Sequence, residues 1–300
     1  MPGDALSQDA AVLLRRIDTS KAHPARVYDV LLGGKDNYPV DRAAAAAALA
    51  ANPRGYLDVR HNRAFLRRAV TMLATEDGIS QFLDIDTGLP TGQNVHEIAQ
   101  RIVPDARVVY VDNDPVVLAH ACDLLTGGPE GRTDYIDADL KEPASILERA
   151  AKTLDFDQPV GLCLVAVLHF IEGAEAYDIV RELVDALPSG SRLVLSHLTL
   201  DVNAATMRAV QQTYTERGFG AFVLRSKAEV ERFFTHSGLE LLDPGVVPIH
   251  RWRPDGTPPV PRPPEAPSLD VLDEIERIPH YDITDVTDAD INIYAATGRK

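Results

Sequence analysis

Cysteine is nearly missing from this chain: Cys122 and Cys163 are the only two in 300 residues. Two thiols cannot complete a four-cysteine zinc site or the cradle of an iron–sulfur cluster, which excludes chemistry resting on either, and no metal is expected. Cys163 lies inside an apolar run and reads as a core thiol. Long apolar runs are lacking too. The longest, Val160 to Ile171, contains His169 and is too short to cross a bilayer. The N-terminus carries Asp4, Gln8 and Asp9 instead of the apolar segment of a secretion signal. A cytoplasmic protein without a membrane partner is therefore expected. Positive charge is also short, with 30 Lys and Arg against 45 Asp and Glu and a formal net charge of −15. Such a field repels phosphate backbones, so no nucleic-acid partner is expected. The densest basic segment, Arg60, Arg63, Arg67 and Arg68, fits one side of a helix and reads as a solvated face.

What is present is ordinary for a globular protein, with 45% hydrophobic and 25% charged residues. Residues 1–17 read as a flexible N-terminus and residues 18–78 as helical. Ala43 to Ala51 is a strong helix former. Gly33-Gly34 marks a turn, as does Asn52-Pro53 with Gly55. Phe65, Ala69, Met72 and Leu73 then form an apolar stripe at helical spacing. From residue 79 short apolar runs alternate with helices. Strands are expected at Gln81–Ile85, Arg107–Val111, Thr133–Ile136, Val160–Val167 and Arg192–His197. The helices between them are expected at Asn94–Ile102, Pro115–Leu125, Ala144–Thr153 and Ala174–Leu187. This alternation predicts an α/β fold with a parallel sheet covered on both faces. Further helices are expected at Asn203–Arg217 and from Ser226, where Glu229 completes a capping box. Further strands are expected at Leu239–Leu242, Val246–Ile249 and Ile291–Thr297. In residues 254–267 seven of fourteen positions are proline, which suits a stiff surface connection better than a partner-binding motif.

Three strand ends carry carboxylates. The first reads Asp84-Ile-Asp86-Thr-Gly88-Leu-Pro90, a glycine-containing turn before a helix, where a ligand could approach the backbone. The second reads Asp112-Asn113-Asp114-Pro115. Asp112 stands 24 positions after Gly88, placed to accept both ribose hydroxyls of an adenosine-containing ligand, while Asp114 caps the next helix. The third reads Asp137-Ala-Asp139-Leu140, where Asp139 is either a turn aspartate or an acceptor for an adenine amino group. Together these ends point to one nucleoside at the carboxyl edge of the sheet.

The segments FLDIDTGLP, VVYVDNDPVVLAHA, YIDADLKEP, LVAVLHFI and LPSGSRLVLSH resemble, in order, the strand-end motifs of class I S-adenosylmethionine (SAM)-dependent methyltransferases. HPARVYDVLLGGKDNYPVDR and HRWRPDG resemble more narrowly a bacterial family known as "S-adenosyl methyltransferase". The resemblance covers about residues 18 to 300. It implies a Rossmann-like, seven-stranded, mostly parallel sheet with the last strand antiparallel, spanning 79–300 under an N-terminal helical cap. SAM, the implied cofactor, would lie over the first two strands. Asp84 and Gly88 would sit near its amino-acid end, Asp112 and Asn113 at the ribose, and Asp139 and Leu140 at the adenine. Ala166 and Val167 would line the methyl-transfer side. One departure stands out: Asp86 occupies a position where the family motif has glycine, and its carboxylate would meet that of SAM.

The resemblance implies methyl transfer, and an O or N atom of a small molecule is the expected acceptor, since neither cysteine sits in a nucleophile-activating motif. His169 is the candidate base if the acceptor must lose a proton; the alternative is a histidine packed against the cofactor. His197 is a second candidate. Tyr28, Lys35, Asn37 and Tyr38 around the double glycine read either as a lid over the ligand, with Arg63 reaching the SAM carboxylate, or as a surface turn. Two other readings are a non-catalytic SAM-binding protein impaired by Asp86 and a nicotinamide-dependent oxidoreductase. The second lacks the G-x-G-x-x-G turn. Oligomeric state is not legible.

Overall fold

A computed structural model describes residues 17–90, 92–124, 128–257, 272–281 and 283–300. The N-terminal stretch 1–16, most of the proline-rich connection and the side chain of Cys122 lie outside the described residues.

Among the described residues three helices precede the sheet: α1 (Pro24–Leu32), α2 (Pro39–Ala51) and α3 (Gly55–Thr75). Then β1 (Gln81–Ile85), α4 (Val95–Ile102), β2 (Arg107–Asp112), α5 (Pro115–Leu124), β3 (Arg132–Asp137) and α6 (Pro143–Ala150) alternate. They are followed by β4 (Gly161–Val165), α7 (Glu175–Asp185), β5 (Arg192–Leu198), α8 (Ala204–Glu216) and α9 (Lys227–His236). Ser226 and Glu229 form the expected capping box. Short strands β6 (Glu240–Leu241) and β7 (Val247–Pro248), a short α10 (Glu274–Arg277) and β8 (Ile293–Arg299) complete the chain. Among the described residues no helix is long and apolar enough to cross a membrane.

The strand order is β3-β2-β1-β4-β5-β8-β6, with β1 to β5 parallel and β8 antiparallel to β5. This is the class I methyltransferase arrangement. The sheet has eight strands instead of seven because its outer partner is broken. Both β6 and β7 pair with β8, at Glu240↔Arg299 and Val247↔Ala295, and the Pro244-Gly245 turn separates them. Alternate residues feed two cores, as a sheet covered on both faces requires. Phe82, Val108, Tyr110 and Val194 pack with α3 and α4, through Phe65, Leu73 and Ile98. Leu83, Val109, Leu162 and Leu195 pack with α6, α7 and α9, through Ile146, Val180 and Phe233. Burying each such side chain contributes roughly 1.5–3 kcal/mol.

The basic stretch on α3 is not a solvated face. Arg60 and Arg68 are 3% and 8% exposed. Arg68 donates from Nε to the carbonyl of Trp252 and from Nη2 to that of Ile249, each at 2.9 Å, and Arg67 forks onto Asp255. These arginines pin the HRWRPDG segment to α3.

The double glycine also has a structural explanation. Gly33 ends α1 at φ +83°, and a Cβ on Gly34 would lie 1.9 Å from Oδ1 of Asp29. Asp29 uses that space to accept from the Asp36 amide (3.0 Å) and from Nδ2 of Asn37 (2.9 Å). A side chain at Gly34 would displace this brace.

Candidate functional site

The carboxyl ends of the parallel strands open beneath α1–α3 into a cavity of about 520 Å³, within the range of small-molecule sites. On the β1 side, Asp84 is buried, and that burial pushes its pKa up to about 6 against the opposing Thr87 hydroxyl and Arg63 charge. The chain then turns with Asp86 at φ +61°, in the left-handed region where glycine is favoured and aspartate is among the tolerated residues. Burial, followed by the charges of Asp112, Asp139 and Asp84, pushes Asp86 well above the usual carboxylate range. At Gly88, φ +69°, an added Cβ would meet nothing within 4 Å, so the backbone here borders open space.

Asp112 is 2% exposed and its two oxygens are separately anchored. Oδ2 accepts from the Gly88 amide and Oδ1 from the Asp114 amide, both at 2.9 Å. Each oxygen retains a lone pair for a ligand hydroxyl. Burial pushes this carboxyl up to about 6. Asp114 caps α5 through the Val116 amide at 2.8 Å, and His23 Nδ1 lies 2.8 Å from its Oδ2. Burial opposes ionisation there, yet the His23 contact holds Asp114 below the usual carboxylate range.

Asn113, Asp139 and Leu140 line the same cavity. Asp112 stands beside Asp137 in the β2–β3 register, and Asp139 follows two residues on in the same cavity wall. After β4, Ala166 turns at φ +59°, its amide donating to Ser196 Oγ at 2.9 Å, and Val167 and His169 follow it in the wall. His169 is 5% exposed, and its Nδ1 has no partner among the described residues. Burial, then the charges of His197 and Arg225, drive its pKa well below the usual value, so the ring is neutral.

Sequence expectations divide at this site. Asp84, Asp86, Gly88, Asp112, Asn113, Asp139, Leu140, Ala166, Val167, His169, Tyr28 and Arg63 converge on one cavity. Lys35, Asn37 and Tyr38 do not line it: Lys35 is exposed and Asn37 belongs to the Asp29 brace. His197 is committed elsewhere, with Nδ1 2.8 Å from the Leu198 carbonyl and Nε2 2.6 Å from Arg225 Nη1. Tyr28 lines the cavity, but its hydroxyl serves a relay. It donates to the Val59 carbonyl and accepts from Asn62, whose Oδ1 accepts from Ser196 Oγ at 2.6 Å. Arg63 reaches Asn94 Oδ1 at 2.9 Å, and its Nε is unpartnered.

Sequence reasoning missed Asp58, Asn62, Tyr214 and His23, which also line the cavity. The available signal was the spacing Asp58, Asn62, Leu66, one row along α3.

Fold and site together define a class I, SAM-dependent methyltransferase. Residues 10–300 match the family described as S-adenosyl methyltransferase, and the chain belongs to that family. It is similar to the crystal structure of a DUF574 family protein from Streptomyces avermitilis MA-4680. That structure is 43% identical, with a TM-score of 0.83 over 95% of this chain and 100% of the other. A crystal structure from Thermobifida fusca YX is 38% identical, with a TM-score of 0.78 over 94% of this chain and 96% of the other. No curated protein matches.

The residues present fit SAM, the family's methyl donor. At the strand ends Asp84, Asp86, Asp112 and Asp139 line the cavity against two strong bases, Arg63 and Lys141. An acidic wall suits a ligand carrying both a sulfonium and an ammonium group.

Proposed function

We propose that this protein transfers the methyl group of SAM to an oxygen or nitrogen atom of a small molecule. When bound, SAM supplies an already activated methyl, so the donor carries the hard part of the chemistry. In this reading Asp112 and Asn113 hold the ribose, and Asp139 and Leu140 the adenine. Asp84, Gly88 and Arg63 hold the amino-acid end, while Ala166 and Val167 flank the transferred methyl. Helices α1–α3, within residues 18–78, act as a cap over 79–300, with Tyr28 on its inner side. Lys35 and Asn37 have no part in it.

His169 accepts a hydrogen bond from the hydroxyl or amine of the acceptor. Held neutral, it orients that group, takes the proton lost as the new bond to the methyl forms, and releases it to solvent when the products leave. The protein's main contributions are alignment and the exclusion of water. The net charge of −15 argues against a nucleic-acid acceptor, and two cysteines suit a reducing cytoplasm.

One observation carries this reading: the three acidic strand ends and His169 border a single cavity. Calorimetry with SAM and with S-adenosylhomocysteine tests it, and affinities of about 10 µM or better are expected. No heat and no thermal shift with either would remove it. Asp86 favours a second reading, a SAM-binding protein without turnover. Release of S-adenosylhomocysteine in the presence of phenols, alcohols and amines separates the two: binding with no release across the panel would favour the second.

A further inference from the structure

The cavity has two unlike halves. Over β1, β2 and β3 it is polar, and both strong bases belong there. Lys141 follows β3, and the Arg63 guanidinium reaches toward Asn94 at the start of α4. Over β4, β5 and β8 the lining is apolar: Leu198 from the end of β5, Met207 and Val210 from α8, and Phe222 from the loop after it, closed by Leu49 of α2. Met207, Val210 and Phe222 form a core cluster of their own with Leu224, and Leu198, Phe170 and Tyr214 pack against it. Aromatic rings are plentiful, since the Phe222 ring lies tilted against Tyr214 (4.4 Å between centroids) and edge-on to His169 (5.3 Å).

Only a few polar atoms interrupt that wall. Among the described residues His169 Nδ1 is buried without a partner, and the Tyr214 hydroxyl makes no hydrogen bond. Asp58, 5% exposed, is the acidic residue among the described lining of this half, and neither lysine nor arginine lines it. Its oxygens are held apart by one residue: Oδ1 accepts from the Asn292 amide at 2.7 Å and Oδ2 from its Nδ2 at 3.3 Å. Asn292 is in turn fixed by Asn203. A carboxylate so anchored cannot turn away from an occupant, yet each oxygen has lone pairs to spare. Burial pushes its pKa up to about 7, so a cation beside it would favour the charged form and an anion the neutral one.

We infer that this half receives the methyl acceptor, that the acceptor is largely apolar, ring-bearing and either neutral or cationic, and that Asp58 selects it by charge. The inference rests on the methyl-transfer reading. An aryl ring matches the aromatic wall, a hydroxyl or amine finds acceptors in His169 and Asp58, and an anionic group finds no counterion.

The test uses the full chain saturated with S-adenosylhomocysteine and three probes of one shape: naphthylmethylamine, naphthylmethanol and naphthoate. Calorimetry should show the amine and the alcohol binding, with naphthoate at least about tenfold weaker. In Asp58→Asn the advantage of the amine over the alcohol should shrink about tenfold while S-adenosylhomocysteine affinity is kept. Met207→Lys, which leaves the Asn292 contacts intact, should admit naphthoate. Equal binding of naphthoate, no binding of any probe, or an unchanged ranking in both variants would overturn the inference. Failure of S-adenosylhomocysteine itself to bind would instead overturn the methyl-transfer reading beneath it.

Discussion

The amide of Gly88 donates to Oδ2 of Asp112 at 2.9 Å, tying the turn after β1 to the end of β2. Asp112 thereby shapes the loop around the site as well as offering acceptors to a ribose. The two duties predict two losses. Asp112→Ala should weaken SAM binding about 100-fold, since hydrogen bonds to a charged group contribute roughly 1.5–3 kcal/mol each. The melting temperature should fall as well. Calorimetry showing an affinity within threefold of the parent would remove Asp112 from the binding site.

Asp86→Gly removes a carboxyl crowded by burial and by its acidic neighbours, and leaves a residue suited to φ +61°. SAM affinity should rise, and the gain should grow as pH rises, because only the ionised side chain repels the ligand carboxylate. A gain independent of pH would point to bulk instead of charge.

His169→Ala should lower turnover by roughly 10²–10⁴-fold with little change in the KM for SAM, as measured by S-adenosylhomocysteine release. A change under tenfold would reduce His169 to a packing residue.

Arg225, 3% exposed, donates to the carbonyls of Leu168 (2.8 Å) and Ile171 (2.9 Å), holding the 3-10 turn that carries His169. Arg225→Met leaves the Ile171 carbonyl and His197 Nε2 without their donor and removes one of two donors to the Leu168 carbonyl. Urea unfolding should show a loss of about 3 kcal/mol.

Asp58, Asp84 and Asp112 have folded-state pKa values raised to about 7, 6 and 6 from an ordinary 3.8. The folded chain therefore holds protons that the unfolded chain releases. Their contribution to stability is fully present below about pH 4 and is lost as pH rises through about 6 to 7. For Asp58 alone the rise corresponds to about 4 kcal/mol at roughly 1.4 kcal/mol per pH unit. The ligand-free melting temperature should fall between about pH 5 and pH 8, while the shift produced by SAM grows. A flat profile would mean that these carboxyls are better solvated than their burial indicates.

Much of this architecture was legible in the chain. The strand at Gln81–Ile85, the capping box at Ser226 and the cap by Asp114 depend on local spacing, and all three form as expected. The acidic strand ends were legible because sheet topology alone brings them to one edge. The misreadings depend on distant partners. Arg68 looks solvated until the Ile249 and Trp252 carbonyls arrive from 181 and 184 residues away. The double glycine itself gave no sign that Asp29 fills the space Gly34 leaves and holds the Asn37 amide. Asp58 gives no local sign of its burial, since Asn292 reaches it from the far end of the chain.

Trp252, the single tryptophan, is fully buried edge-on to Phe65, 5.0 Å between ring centres, and its indole nitrogen has no hydrogen-bond partner among the described residues. Its fluorescence therefore comes from one dry location, the seam where the HRWRPDG segment meets α3, and should emit toward the blue. A red shift on denaturation would time the detachment of that seam, independently of what occupies the cavity.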